Sequence, residues 1–479
     1  MLHGLALEDS SPPWGLAVYS NIQIELMRQW GLNVVRLGFL WHMVEPAAGQ
    51  YNGTYVQEIV DFIAKLNDYD IYVILDMHQD CWSPLYCNSH GIPSQYAAAY
   101  NTSNYQPGGI RAYPEPVVKP TYDDHGDITN CDQIGEKIFG WASCYPTYAI
   151  GAAAQRLYDN DEGIADRFGK MWQMIASKVA QYPNILGYEL LNEPWLGDVP
   201  LSFSELDPAT NPHWDLWFPT ISDRGNLAGL YQMLHRYIRQ VDNESIIFFE
   251  PATGGNFLDA WPVGFEEGPG GQEYNNRQAL SYHIYCLLKD STNSSNFIQW
   301  IVDRLDIAAC DLTNDAMYDV RKEDTERLKL AGFLTEFGDN GVGVTSDYIN
   351  FCTNKMDQFL HGWTFWYLTP DPSASNTSIT RALAKPFPHK IAGTPIKVQF
   401  TPESSIFDMV YTPCTEPPCS EMATEVFVAQ GYHYPNGFLY AIATQNTVSV
   451  RFNQTNSFLY IQVTKIIPEE PVEVILSPK

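Results

Sequence analysis

Two glutamates are set apart by where they occur. Glu193 follows the apolar run Ile185–Leu191, and Glu336 follows Ala331–Thr335. Carboxylates that face each other can cleave a glycosidic bond, one protonating the departing oxygen while the other attacks the anomeric carbon or activates water. Other polar residues recur at the same kind of position. Arg36 lies within Asn33–Leu40, His78 and Asp80 follow Ile71–Met77, Asn192 precedes Glu193, His283 and Tyr285 end Ala279–Tyr285, and Trp366 follows Gly362–Phe365. Each has an ordinary reading when taken alone: Arg36 as a buried ion-pair partner, His78 and His283 as satisfied core imidazoles, Asn192-Glu193-Pro194 as a turn, Trp366 as core packing. Those readings weaken together, because all must hold at matching ends of successive runs.

The elements that would line up such ends alternate along the chain. Ile22, Leu26 and Trp30 recur at helical spacing behind Asn21, a cap candidate, and Gly31 stops the helix. Further amphipathic stretches cover Tyr55–Leu66, about 163–180 and about 227–241, and the apolar runs between them read as strands buried on both faces. With Leu2–Leu7 first, eight strands are expected, at Asn33–Leu40, Ile71–Met77, Ile185–Leu191, Ile246–Phe249, Ala279–Tyr285, Ala331–Thr335 and Gly362–Phe365 after it. Repeated βα units imply parallel strands with right-handed crossovers, and eight close into a TIM barrel whose active groups sit at the C-terminal ends. A long insertion at about 78–160, rich in Pro, Gly, Tyr and Asn, reads as a wall of the binding site. Cys81 with Cys87, and Cys131 with Cys144, are close enough in sequence to staple it, although spacing alone leaves the pairing open. After Pro386 the texture changes to short β-branched and aromatic runs, at Ile396–Phe400, Ile406–Tyr411, Thr424–Val428, Phe438–Ala443, Thr447–Phe452 and Phe458–Val463. The expected organisation is a catalytic barrel over 1–388 and a C-terminal β-sandwich over 389–479.

Composition narrows the partners. A formal net charge of -28 repels phosphate backbones and anionic headgroups, which argues against nucleic acid and polybasic membrane docking. No apolar run approaches the roughly 20 residues that span a bilayer. Nine cysteines, with Asn-x-Ser/Thr sequons at Asn52, Asn101, Asn243, Asn293, Asn376 and Asn453, point to the secretory pathway. The segment Met1–Leu7 lacks the basic region and cleavage site of a signal peptide, so the expectation is a secreted or lysosomal protein whose signal lies outside this numbering.

The strings NVVRLG, DMHQD, LLNEP, YHIY, LTEFG and WTFWYL, in this order and spacing, resemble glycoside hydrolase family 5. The resemblance covers nearly the whole chain, and SPPW, WHMVEPAAGQYN and AGTPIKVQF resemble the endoglycoceramidases and related glycolipid hydrolases within it. Asp9 and Ser10 depart from that subgroup, where a tyrosine and a basic residue are expected. The resemblance implies a retaining enzyme that cuts the bond between a sugar headgroup and a ceramide-like lipid. Glu336 is then the nucleophile and Glu193 the acid/base, with Arg36 and Tyr285 holding Glu336. Asn192 would bond the sugar 2-hydroxyl, His78, Asp80 and His283 would position hydroxyls or the acid/base, and Trp366 would be a stacking floor. This exchange of roles asks for a raised pKa at Glu193 and an ionised Glu336. No metal or other cofactor is implied, and a monomer is expected.

The lipid would enter beside Trp195, Leu196, Leu201, Phe203, Trp214, Leu216, Trp217 and Phe218, an apolar loop that could equally pack on the barrel or touch a membrane surface. The alternatives are an exo-acting glucosylceramidase or steryl-β-glucosidase, an endo-β-glucanase or mannanase, and a non-catalytic glycolipid-binding protein.

Overall fold

The computed structural model describes residues 1–8, 16, 19–86, 90–97, 148–197, 219–252, 262–285, 310–338, 344–366 and 377–479. Eight parallel strands, β1 (His3–Glu8), β2 (Val34–Phe39), β3 (Tyr72–Met77), β4 (Ile185–Glu189), β5 (Ile246–Phe249), β6 (Gln278–His283), β7 (Ala331–Glu336) and β8 (Gly362–Phe365), pair in sequence order and close between β8 and β1. Each begins and ends within about two residues of the expected run, because a strand buried on both faces is marked by a local stretch of apolar side chains. The helices follow with small shifts. Gln23 reaches back to the Ser20 amide at 2.8 Å, so Ser20 rather than Asn21 caps the first helix, Asn21–Gln29, and the side chain of Asn52 caps Gly53–Asn67.

The barrel interior changes character along its axis. At the N-terminal end it is apolar, with Val34 on β2, Ile74 on β3, Phe248 on β5, Ala279 on β6 and Phe333 on β7 in one buried cluster. Two residues further along, strand alternation returns the chain to the same face, and there stand Arg36, Asp76 and, just past β5, Glu250. Glu189 pairs in register with Asp76. Arg36, Asp76, Glu189, Glu250 and His283 are all at most 1% exposed. The apolar floor therefore carries an ionic layer directly above it.

The C-terminal sandwich is built from β9 (Phe387–Lys390), β10 (Gly393–Thr401), β11 (Ile406–Pro413), β12 (Thr424–Phe427), β13 (Phe438–Ala443), β14 (Thr447–Asn453), β15 (Phe458–Lys465) and β16 (Val472–Pro478). Its two antiparallel sheets run β10-β11-β16-β13 and β14-β15-β12-β9. The first and last strands of the module, β9 and β16, escaped the sequence reading, β9 because Pro388, His389 and Lys390 break its apolar run. Cys414 and Cys419 form a disulfide within this module. It docks on the side of the barrel away from the ionic layer. His3, the first residue of β1, stacks on Phe387 with ring centroids 4.0 Å apart, and Gly31, at φ 81°, leaves room for Phe427, whose ring would lie 2.4 Å from any Cβ there. Among the described residues no helix is long and apolar enough to cross a membrane.

Candidate active site

Arg36 is the centre of the ionic layer. Its Nη1 donates to Glu336 Oε1 at 2.6 Å, Nη2 donates to Asn192 Oδ1 at 2.7 Å and lies 3.1 Å from Asp76 Oδ2, and Nε donates to Glu189. A planar fork can serve this many acceptors at once, which an ammonium group cannot. Burial opposes its charge, but Asp76, Glu189, Glu336 and Glu250 outweigh that and hold its pKa above the ordinary value.

The two glutamates come together from opposite sides of the barrel. One carboxylate oxygen of each, with His283 Nδ1, falls within a 4.8 Å group. Tyr285 donates to Glu336 Oε2 at 2.8 Å, and His283 Nδ1 lies 2.9 Å from Glu193 Oε1 and 3.6 Å from Glu336 Oε2. Of the layer's five carboxylates, Asp76, Glu189 and Glu250 have fully buried side chains, whereas that of Glu193 is 13% exposed and that of Glu336 7%. Of the five, only these two have side-chain surface open to the barrel mouth.

A second group lies beside them. Asp76 accepts from His78 Nδ1 at 2.7 Å, which directs His78 Nε2 toward Asp80, 3.7 Å away, and the His78 ring stacks on Trp366 at 5.5 Å with 8° between planes. His90, which the sequence did not single out, completes this group with Nε2 3.5 Å from Asp80 Oδ2. The donor atoms of His78, Asp80 and His90 lie close enough to ligate a cation, and the same atoms suit neighbouring sugar hydroxyls. The nine residues expected at the site, Arg36, His78, Asp80, Asn192, Glu193, His283, Tyr285, Glu336 and Trp366, thus form one continuous network.

Asp76, Glu189 and Glu250 were missed because they were absorbed into strand runs or stand just after one. Counting in twos from Val34 to Arg36 and from Ile74 to Asp76 would have placed them facing inward. Gln79 was also missed. Its amide donates to the carbonyls of Asn192 at 2.9 Å and Glu193 at 2.8 Å, and Asn192 Nδ2 returns a bond to the Gln79 carbonyl at 3.0 Å. Glu193 has φ 40°, a left-handed backbone that is costly outside glycine. Gln79 braces that turn. Gln79→Ala should lower kcat on an aryl β-glycoside by about 10²-fold through misplacement of the Glu193 carboxylate, with KM little changed; wild-type kcat would show that the turn holds itself.

The protonation expectation needs correction. Burial raises the Glu193 carboxyl, but the hydrogen bond and charge of His283 outweigh it and leave the pKa below the usual value. Burial also raises Glu336, and there His283 and Arg36 only partly offset it, so its pKa stays above. Burial lowers His283, yet Glu250, Glu336 and the bond to Glu193 raise it well above the ordinary imidazole range. The two shifts run in opposite senses, Glu193 toward its charged form and His283 toward its protonated one, because each is the other's nearest partner. Sequence could not reveal this, because it depends on which groups converge.

Of the apolar loop, Trp195 and Leu196 are described, and both are buried in the barrel core rather than presented to a lipid. Leu201, Phe203, Trp214, Leu216, Trp217 and Phe218 lie outside the described residues, as do SPPW, Asp9, Ser10, Cys87, Cys131 and Cys144.

Residues 3–108 and 130–372 match the family profile described as Cellulase (glycosyl hydrolase family 5), and residues 385–474 match the Glycoside hydrolase family 5 C-terminal domain. The endoglycoceramidase of Hydra vulgaris is 31% identical over 472 residues, covering 96% of this chain and 81% of its own, and that of Cyanea nozakii is 28% identical over 453 residues, covering 90% and 80%. A glucosylceramidase of Aspergillus fumigatus is 33% identical over only 105 residues, 21% of this chain. Endo-glycoceramidase II from Rhodococcus sp., solved in complex with ganglioside GM3, shares the fold with TM-score 0.72 at 20% identity, covering 100% of this chain and 97% of its own.

Proposed function

Because the chain belongs to glycosyl hydrolase family 5, we propose that it is a retaining endo-β-glycosidase that releases the intact sugar headgroup of a glycosphingolipid from its ceramide. The observation that carries this reading is the approach of Glu193 and Glu336 to within 4.8 Å. A separation near 5 Å favours direct attack and a covalent intermediate, whereas inversion leaves about 6.5–9.5 Å for a water. Endo action on a glycolipid is supported by endoglycoceramidases that align along nearly the whole chain, while the glucosylceramidases of Aspergillus fumigatus and Rhizopus delemar align over 21% and 38% of it.

In this reading Glu336 bonds to the anomeric carbon as Glu193 delivers a proton to the departing ceramide oxygen, and Glu193 then takes a proton from water as that water displaces Glu336. Arg36 and Tyr285 hold Glu336 from both oxygens. Asn192, fixed by Arg36 and Gln79, offers an amide proton to the sugar 2-hydroxyl. His78 and Asp80 bond hydroxyls at the outer side of the ring, and Trp366, parallel to His78, is the surface on which the ring stacks.

Products from a ganglioside, a glucosylceramide and a soluble β-glucan, followed by mass spectrometry, test the reading. Intact oligosaccharide plus ceramide is expected from the ganglioside. Glucose from glucosylceramide alone would replace endo with exo action, and glucan cleavage alone would remove the lipid. The same assay on vesicle-embedded and detergent-dispersed substrate tests contact with a lipid surface through 201–218. We also propose a monomer that passes through the secretory pathway: Asn243 is exposed, and Asn453 ends β14 with its side chain accepting from the Thr455 amide of the turn that follows. Light scattering, and mass loss on enzymatic removal of N-glycans, test these two points.

A further inference from the structure

Glu250 follows β5, has no exposed surface and has no part in the reaction as described above, yet it touches the acid/base by two routes. Its Oε2 accepts from the backbone amide of Glu193 at 3.3 Å, at the residue whose left-handed φ aims the carboxylate. Its Oε1 lies 3.3 Å from His283 Nε2, and the other nitrogen of that ring meets Glu193 Oε1 at 2.9 Å. The result is a row of carboxylate, imidazole and carboxylate with one end buried and the other at the substrate.

We propose that Glu250 is the positioning residue of the acid/base, holding the Glu193 turn through its amide and sharing protons with Glu193 through His283. This rests on reading Glu193 as the acid/base. The groups facing Glu250 are Arg36 from β2, Glu189 from β4, Glu193 beyond it and His283 from β6, with Glu336 from β7 behind His283. Arg36 and His283 are the cations that face Glu250, and the carboxylates around them outnumber them. Burial accordingly pushes the Glu250 carboxyl up to about 8, against the opposing pull of His283.

The proton inventory closes along the row. The proton on His283 Nδ1 passes to Glu193 Oε1 and from there to the glycosidic oxygen, as the bond from that oxygen to the anomeric carbon breaks and the bond to Glu336 forms. His283 is left neutral, with its remaining proton on Nε2 against Glu250. In the second step Glu193 removes a proton from water as the water oxygen bonds to carbon and Glu336 leaves, and that proton returns to Nδ1. Nothing is oxidised or reduced. The Glu250 carboxyl behind the ring accepts from Nε2 and so fixes which ring nitrogen keeps its proton through the cycle.

The test compares wild type, Glu250→Gln, Glu193→Ala and the double variant on aryl β-glycosides with a good leaving group, dinitrophenol, and a poor one, a simple alkylphenol. In Glu250→Gln the poor leaving group should lose about 10²-fold or more in kcat/KM, the good one only a few-fold, and the basic limb of the pH profile should move to lower pH. In the Glu193→Ala background the second change should cost almost nothing, because the two act as one unit. Labelling of Glu336 by a dinitrophenyl 2-deoxy-2-fluoro-β-glycoside establishes that each variant is folded, and Glu250→Asp carries the same comparison if Glu250→Gln does not label. Equal losses on both leaving groups with an unmoved pH profile, or additive losses in the double variant, would overturn the proposal. Near-wild-type turnover of the poor leaving group by Glu193→Ala alone would instead remove the acid/base reading beneath it.

Discussion

Glu336→Gln should abolish turnover of glycolipid and aryl β-glycoside alike, by on the order of 10⁵-fold or more, while leaving the protein at least as stable as wild type. Glutamine keeps the shape and still accepts from Arg36 Nη1, but it cannot form the covalent bond. Stability should hold because the layer's five carboxylates outnumber the Arg36, His283 and His78 cations beside them. The pH dependence follows from the direction of the shift. Burial raises the Glu336 pKa in the folded state, so its contribution is present below the unfolded value and is lost as pH rises through the folded one. Any gain in Glu336→Gln should therefore appear mainly at neutral and alkaline pH. Single-turnover kinetics, together with melting at pH 5 and pH 8, check both parts. Residual activity above about 1% of wild type would show that another group supplies the nucleophile.

The largest effect on stability should come from Arg36→Met, at roughly 3–5 kcal/mol. Methionine fills much of the volume but strands Asp76, Glu189 and Glu250 where water does not reach, and activity should vanish with the support of Glu336 and Asn192. Arg36→Lys should recover little, since one ammonium cannot bond Glu189, Asn192 and Glu336 together. In wild type the guanidinium and His283 hold Glu189 below its usual value, while burial already keeps Asp76 and Glu250 above theirs. Without Arg36 all of these rise. Groups raised in the folded state stabilise below their unfolded pKa and lose that contribution as pH rises, so the deficit should shrink toward pH 5 and widen toward pH 8. Urea unfolding at the two pH values measures it. Equal stability of variant and wild type at pH 8 would mean that the carboxylates are not held by Arg36.

Much of this site was legible because the barrel converts sequence position into spatial position. Any polar residue that closes a buried strand arrives at the same rim, so Glu193 and Glu336 could be placed together from two short strings. Asp76, Glu189 and Glu250 were overlooked because hydrophobic runs were read as uniform, although the inward face switches from Ile74 to Asp76 and from Phe248 to Glu250 within a single step of the pleat. His90 and Gln79 gave no signal at all, lying in irregular chain after β3 where no period applies.

The sequence by itself determined the eight strands, the sandwich that follows them and the residues that could do acid–base chemistry, because these depend on local runs of apolar side chains and on residue type. Only the tertiary structure decided that Arg36 spans Glu189, Asn192 and Glu336, that Glu193 and Glu336 alone of the layer's five carboxylates reach the surface, and that His283 outweighs burial and draws the Glu193 pKa down. Those outcomes belong to distances between residues up to 300 positions apart and to the summed field of every neighbour. Both come into being only when the barrel closes.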